Sequence, residues 1–147
     1  MSEYTFHLEK VLEWREGEEN DLTNRMAKKK EEMEGCRVAL ENLKAEYREE
    51  KMKRLKLSTG DQVYTARLYE AKLDEEIQHY QQIHDFLQKE IETIRNHLVE
   101  ARKNTKTMEK LKEKDYAGFQ KEVNHREQKF LDQVGTSAYS GLHRVSR

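Results

Sequence analysis

Apolar residues recur along the first half of the chain at alternating spacings of four and three. This spacing selects fifteen positions, of which ten are apolar. A repeat of 3.5 residues is typical of a coiled-coil seam, the line along which two helices pack. The positions are Leu8, Leu12, Arg15, Glu19, Leu22, Met26, Lys29, Met33, Cys36, Leu40, Leu43, Tyr47, Glu50, Arg54 and Leu57.

The second half of the chain carries a similar seam. Eleven positions follow the same spacing, and nine of them are apolar. Heptads sustained over this length are uncommon in the helices of globular domains, so they favour a long coiled coil. The positions are Leu73, Ile77, Tyr80, His84, Leu87, Ile91, Ile94, Leu98, Ala101, Thr105 and Met108.

A short polar segment, residues 58–61, separates the two seams. Its Gly60 can end a helix in a left-handed conformation, and Ser58, Thr59 or Asp61 can cap the next helix. A short turn between long helices makes them antiparallel neighbours. The sequence therefore predicts an all-α fold, a long two-stranded antiparallel coiled-coil hairpin, with arm one at 5–57 and arm two beginning at 62.

The pattern changes after Met108. A new apolar stripe predicts a third helical piece over about 116–134, after a break near 115–118 that contains Gly118. We expect Gly135 to end this piece and the polar tail 135–147 to be disordered. The predicted hairpin domain is 1–134. The stripe consists of Phe119, Val123, Phe130 and Val134.

Charge and composition support a thin seam rather than a thick core. Charged residues make up 39% of the 147-residue chain and hydrophobic residues 35%, and there is no proline to interrupt a helix. The two arms also match in charge, because the basic run 28–30 is predicted to face Glu90 and Glu92. The net charge of −1 offers no basic field for nucleic acid.

We expect a protein of the reducing cytoplasm. The single cysteine, Cys36, cannot pair within the chain and lies on the seam, where it packs as a small apolar side chain. No stretch approaches the roughly 18 apolar residues of a membrane span, and no secretory leader opens the chain. We expect no direct membrane insertion.

The residues that could carry chemistry form no catalytic pattern. No two of the six histidines are four apart, the spacing that places two metal ligands on one helix face. No pocket-forming sequence accompanies the many carboxylates. The sequence therefore indicates a binding protein and not an enzyme, with no cofactor and no metal.

Two groups of residues admit either a structural or a binding role. The basic stretch that includes Arg102 and Lys103 could be a solvated helix face or a docking surface for an acidic partner. Tyr47 and Tyr80 lie on the seam and can be explained by packing, whereas Tyr69 lies off it and is better explained by a partner.

Several motifs resemble the FliJ family of the flagellar type III export apparatus. The opening Phe6-x-Leu8-x-x-Val11-Leu12-x-x-Arg15 resembles the start of that family. The segment Met108–Lys114 is similar to its LEKLKEK segment, and Phe119, Glu122 and the run Glu127-Gln128-Lys129-x-Leu131-Asp132 resemble its closing pattern. Gln133 stands where the family usually has Glu. The resemblance covers about residues 4–133.

The resemblance implies a fold like the central stalk of rotary ATPases. It also implies association with the export ATPase ring FliI, binding to the export gate FlhA, and escort of flagellar substrate chaperones. The protein would be peripherally associated with the inner face of the cell membrane at the flagellar base. A generic coiled-coil adaptor or spacer and a holdase-type chaperone are the alternatives.

The resemblance also indicates where the partners bind. The export gate is expected to bind Tyr47, Tyr69, Leu73 and Tyr80. The ATPase ring is expected to bind the two chain ends, which meet at the base of the hairpin. The expected ring-binding residues are Phe6, Leu8, Val11, Leu12, Lys103, Lys106, Lys110, Lys112 and Lys114.

Overall fold

Two long helices pack against each other as a hairpin in the computed structural model, which describes residues 3–145. Helix α1 spans Glu9–Arg54 (46 residues), and helix α2 spans Gly60–Val145 (86 residues). No strand occurs within residues 3–145. The predicted all-α antiparallel hairpin is confirmed.

The buried residues follow the predicted seams. Every one of the eleven seam positions of α2 is buried or half-buried, and of the fifteen on the first half only Leu57 is exposed. Leu98 is the most deeply buried, with 2% of its surface exposed. A seam between two helices covers only one stripe of each, which is why so few side chains are fully buried in a chain of this length.

The chain divides into two compact units. The turn unit is Glu18–Ala101, and the end unit is Met1–Gly17 together with Arg102–Arg147. In the turn unit, Lys29 forms an ion pair with Glu90 across the seam at 3.1 Å. This contact confirms the predicted pairing of the basic run 28–30 with Glu90. Glu92 instead pairs with Arg95, three residues along its own helix.

The connection between the helices differs in detail from the predicted turn. Thr59 caps α2, because its hydroxyl accepts a hydrogen bond from the Gln62 N–H at 3.4 Å and its carbonyl accepts one from the Val63 N–H. Gly60 is the first residue of α2, and no glycine of the described chain has a positive φ. The expectation that Gly60 ends the first helix in a left-handed conformation is therefore wrong, since α1 already ends at Arg54.

Helix α2 is longer than its sequence suggests. It passes through Gly118 without a break and continues beyond Gly135 to Val145. The predicted break near 115–118, the predicted end at 134 and the predicted disordered tail are therefore corrected. Residues 146–147 lie outside the described part. A glycine costs a helix only about 1 kcal/mol relative to alanine. The good helix formers that flank Gly118 and Gly135 can offset that cost, so the helix continues through both.

Candidate binding surfaces

A short segment before α1 folds onto α2 in the end unit. The Glu9 N–H donates a hydrogen bond to the Phe6 carbonyl at 3.1 Å, which turns the chain into the helix, and Phe6 is buried. The Tyr4 ring packs edge-on against Tyr116, at 4.9 Å between centroids, and against Phe119 at 5.3 Å. Aromatic contacts thus hold the N-terminal segment against α2 near residues 116–119, and the expectation that the two chain ends meet is corrected, since α2 continues to Val145.

Polar contacts reinforce this clasp, which we define as Tyr4, Glu9, Lys112 and Asp115. The Tyr4 hydroxyl donates a hydrogen bond to Asp115 Oδ2 at 2.9 Å, and its oxygen lies 3.4 Å from the Lys112 carbonyl. Lys112 Nζ lies 2.8 Å from Glu9 Oε2. Because Glu9 is also in the first turn of α1, its carboxylate is favoured by the positive end of the helix dipole.

We expect the clasp to open at high pH. Partial burial, the hydrogen bond to Asp115 and the charge of that carboxylate raise the Tyr4 pKa from 10.0 to about 12. An acid whose pKa is raised by folding stabilises the folded state below its unfolded pKa, and that contribution disappears as the pH rises from about 10 to about 12. The Tyr4→Phe variant should be less stable than the parent at pH 9 and lose less stability between pH 9 and pH 12, as measured by thermal unfolding. Equal pH slopes for the two proteins would contradict this coupling.

The predicted lysines of the end unit fall into two groups. Lys112 belongs to the clasp, so its charge is already matched by Glu9. The side chains of Lys103, Lys106, Lys110 and Lys114 are exposed. We call these four residues the lysine stripe. Lys103, Lys106 and Lys110 recur at spacings of three and four, so they share one face of α2.

The apolar residues predicted to join the lysines are unequally accessible. Phe6 and Leu12 are buried, and Leu8 is half-buried, so these three hold the end unit together. Val11 is exposed, as is Leu111 on α2. A partner of the end unit can therefore reach Val11 and the lysine stripe directly, and the buried residues only position them.

The predicted gate-binding residues lie together in the turn unit but differ in exposure. The Tyr69 hydroxyl donates a hydrogen bond to Glu46, and Tyr69 is 39% exposed. This hydrogen bond, partial burial and the charges of Glu46, Glu50 and Glu76 raise the Tyr69 pKa. A partner would meet a phenol set among carboxylates.

The other three predicted gate residues line the seam. Tyr47 and Tyr80 are half-buried, whereas Leu73 is only 3% exposed. An open groove beside Tyr69 is lined by Glu50, Leu57 and Ala66, among others. We call Tyr69 and this groove the tyrosine surface. It is the accessible part of the predicted gate site, whereas Leu73 is buried in the seam.

Sequence reasoning missed Tyr4, because it precedes the first heptad. A usable signal was present: an aromatic pair, Tyr4 and Phe6, stands before α1, and Tyr116 and Phe119 occupy positions on arm two that an antiparallel hairpin brings opposite. The sequence also assigned Lys112 to a free basic surface, although it falls four residues after Met108 and so continues the seam.

Beyond the clasp, α2 exposes an apolar stretch. Phe130 and Leu131 are largely exposed, and Val134 and Tyr139 are exposed too. All side chains described from residue 124 to 139 are exposed, since α1 begins at Glu9 and the clasp meets α2 only near 112–119. This uncovered stretch, residues 124–139, presents one more surface to a partner.

The described residues offer no further chemical centre. Within 3–145, no group of three or more His, Cys, Asp or Glu side chains is arranged to hold a metal ion. Neither helix, over its described length, contains a stretch apolar enough to cross a membrane.

The described residues form an antiparallel helical hairpin with charged and aromatic side chains exposed on both helices. The chain matches the model of the flagellar FliJ protein family over residues 4–142. It therefore belongs to the FliJ family, a non-enzymatic component of flagellar protein export. No curated protein and no solved structure matches it.

Proposed function

We propose that this chain is a binding component of the flagellar export apparatus that engages the export ATPase FliI and the export gate FlhA and escorts substrate chaperones. The observation that carries the proposal is the family match over residues 4–142, which spans both the end unit and the turn unit. We place the protein in the cytoplasm, peripherally associated with the membrane at the flagellar base through the gate.

The end unit is our candidate for the ATPase ring. The clasp holds the start of α1 against α2, and the lysine stripe gives this paired-helix element exposed positive charge. Contacts between exposed charges are each worth about 0–1 kcal/mol, and salt weakens them. Weak contacts suit an element that must move between equivalent subunits of a ring.

The tyrosine surface is our candidate for the gate. An exposed aromatic ring next to a groove is a common anchor for a protein partner. Because Tyr69 lies among Glu46, Glu50 and Glu76, the complementary gate surface should carry positive charge or hydrogen-bond donors.

The Tyr69→Ala variant should lose affinity for the soluble domain of the gate. Truncation of an aromatic anchor costs about 2 kcal/mol or more, which corresponds to about a 30-fold rise in Kd by calorimetry. Tyr64→Ala is the matched control, since Tyr64 is 66% exposed on the same helix and lies outside the groove lining. If Tyr69→Ala binds as tightly as the parent, the gate contacts another surface.

The uncovered stretch 124–139 supports chaperone escort. It presents Phe130 and Leu131 on an open helix, which a helical chaperone could cover. The same stretch would serve a holdase, so the two functions must be separated by the client: an escort binds folded export chaperones, whereas a holdase suppresses aggregation of an unrelated unfolded protein.

A further inference from the structure

The single tryptophan of the chain is exposed in the end unit. Trp14 has 59% of its surface accessible, although tryptophan is a large apolar residue that is mostly buried in folded proteins. Val11 lies three residues earlier on the same face of α1 and is 40% exposed. Two neighbouring apolar side chains are thus left open at one place on the helix.

A third exposed apolar side chain, Leu111, lies on the same side of the end unit. Val11 directly precedes the seam residue Leu12, and Leu111 directly precedes Lys112, which continues the seam of α2. In an antiparallel pair of helices, the residues that directly precede seam positions lie on the same side of the seam. Val11 and Leu111 are therefore neighbours across the two helices.

Contacts in each unit support this placement. In the turn unit, Tyr69 and Glu46 also directly precede buried or half-buried seam positions, and the Tyr69 hydroxyl donates a hydrogen bond to Glu46. In the end unit, Lys112 Nζ lies 2.8 Å from Glu9 Oε2, so the parts of α1 near residue 10 and of α2 near residue 111 lie at the same level. The three exposed apolar side chains thus form one patch, and such a patch on a highly charged chain indicates an interaction surface.

Lysines frame the apolar patch. Lys10 lies one turn before Trp14 on α1, and Lys110 and Lys114 lie on either side of Leu111 on α2. All three lysines are exposed, and none forms an ion pair within residues 3–145. We define the tryptophan face as Lys10, Val11, Trp14, Lys110, Leu111 and Lys114.

Carboxylates of the end unit lie on the opposite side of the seam. Glu16 and Glu109 directly follow seam positions, which places them away from the tryptophan face. Glu13 and Glu113 lie one helical turn from them and share their side. Three of these four carboxylates line one groove beside Tyr4. The tryptophan face therefore combines apolar side chains with positive charge only.

The indole of Trp14 is held in place before any partner binds. The guanidinium carbon of Arg15 lies 5.0 Å from the centroid of the indole ring, which is a cation–π contact. Arg15 itself is half-buried at a seam position. A side chain that is already ordered loses less conformational entropy on binding, so Trp14 is suited to anchor a partner.

We propose that Trp14 anchors the end unit to the export ATPase ring, with its indole in an apolar pocket of the ring whose rim carries carboxylates. The inference rests on the proposed function, which assigns the end unit to the ring, and adds the anchor residue and the chemistry of its pocket. The pocket covers the apolar patch, and the carboxylates meet the lysines around it. Equivalent subunits present equivalent pockets, so the anchor can pass from one subunit to the next.

Truncation of the anchor tests the proposal. Trp14→Ala should raise the Kd for the FliI ring about 30-fold or more, as expected for an aromatic hot spot. Phe86→Ala is the matched control, because Phe86 is 60% exposed but lies in the turn unit, and its Kd should equal that of the parent. Both variants should stay helical by circular dichroism, since alanine favours a helix. Equal Kd values for the two variants would overturn the proposal.

Fluorescence quenching tests the position of the indole in the complex. Because the chain has one tryptophan, biosynthetic replacement by hydroxytryptophan gives a single fluorophore that can be excited apart from the tryptophans of the ATPase. Acrylamide should quench it in the free protein and lose most of its effect at saturating ATPase. In the double variant Trp14→Phe, Phe86→Trp, the analogue at position 86 should be quenched equally in both states. Unchanged quenching at position 14 would contradict burial of the anchor.

Charge reversal at the edge of the face tests the acidic rim. The double variant Lys10→Glu, Lys114→Glu should associate with the ring about tenfold more slowly at low salt, and the difference should shrink at high salt. Lys28→Glu, Lys44→Glu changes the net charge equally in the turn unit and should associate at the parent rate. Biolayer interferometry measures both rates. If the two double variants associate equally fast, the pocket has no acidic rim.

Failure of the anchor can be told apart from failure of the proposed function. If the parent protein does not bind the FliI ring, the proposed function is wrong and the anchor is wrong with it. If the parent binds, and Trp14→Ala binds as tightly with its helical content unchanged, the end unit can still be the ring-binding element, but Trp14 is not its anchor.

Discussion

Replacement of Leu98 by alanine should destabilise the protein more than any other single seam truncation. Leu98 is 2% exposed, and buried Leu→Ala changes cost about 2–5 kcal/mol because they lose apolar contact and leave a cavity. A seam between two helices can relax toward the cavity, so we expect about 3 kcal/mol. At about 2–4 °C per kcal/mol for a chain of this size, the midpoint of thermal unfolding should fall by about 6–12 °C.

The neighbouring residue supplies the control. Val99 is 44% exposed, so Val99→Ala should change the midpoint by no more than about 2 °C. Circular dichroism at increasing temperature measures both variants. If Leu98→Ala lowers the midpoint of thermal unfolding no more than Val99→Ala does, α2 does not bury the predicted face.

The seam could be predicted because it depends on local periodicity. A residue at every third or fourth position must face the partner helix, and this geometry places Leu73, Ile91 and Leu98 in the buried stripe without knowledge of any contact. The pairing of Lys29 with Glu90 followed from the antiparallel alignment alone. Fold class and cross-seam neighbours are thus encoded along the chain.

Helix ends could not be predicted in the same way. Gly60, Gly118 and Gly135 look alike as helix breakers, yet one begins α2 and two lie inside it. The penalty of a glycine is about 1 kcal/mol, so flanking residues decide its outcome. The extent of α2 depends on that sum of small terms rather than on any single residue.

The candidate surfaces were predicted only in part, because exposure depends on packing between elements. Leu73 was grouped with Tyr69 by resemblance, but it lies in the seam at 3% exposure. Lys112 was grouped with the other lysines by composition, but Tyr4 and Glu9 hold it in the clasp. The seam register alone placed Leu73 in the buried stripe and Lys112 on its continuation, whereas the contacts that Tyr4 and Glu9 make with Lys112 required the position of the opposite helix.

Under the proposed function, the parent protein accelerates ATP hydrolysis by the export ATPase, and charge reversal of the lysine stripe should abolish that acceleration. In the variant Lys106→Glu, Lys110→Glu, Lys114→Glu, three exposed cations become anions, and the Glu9–Lys112 ion pair of the clasp is retained. Steady-state ATP hydrolysis by FliI, measured at physiological salt, should fall to the rate of the ATPase alone. Helical content should stay unchanged, because the three side chains lie outside the seam.

A second triple variant separates the stripe from net charge. Lys28→Glu, Lys30→Glu, Lys44→Glu reverses three exposed lysines of the turn unit and should stimulate as the parent does. If the stripe variant stimulates fully, the basic stretch is a solvated helix face. If both variants fail equally, the ATPase responds to the overall charge and not to this surface.

Site-specific photo-crosslinking to the ATPase ring tests the central claim most directly. A photoreactive amino acid is placed at Val11 or Leu111 in the end unit, and at Phe86, which is exposed in the turn unit, as the comparison. Our account predicts crosslinks from positions 11 and 111 to the residues that line the ring pore, and none from position 86. Pore crosslinks from position 86 with none from 11 or 111 would contradict the claim that the end unit binds the ring.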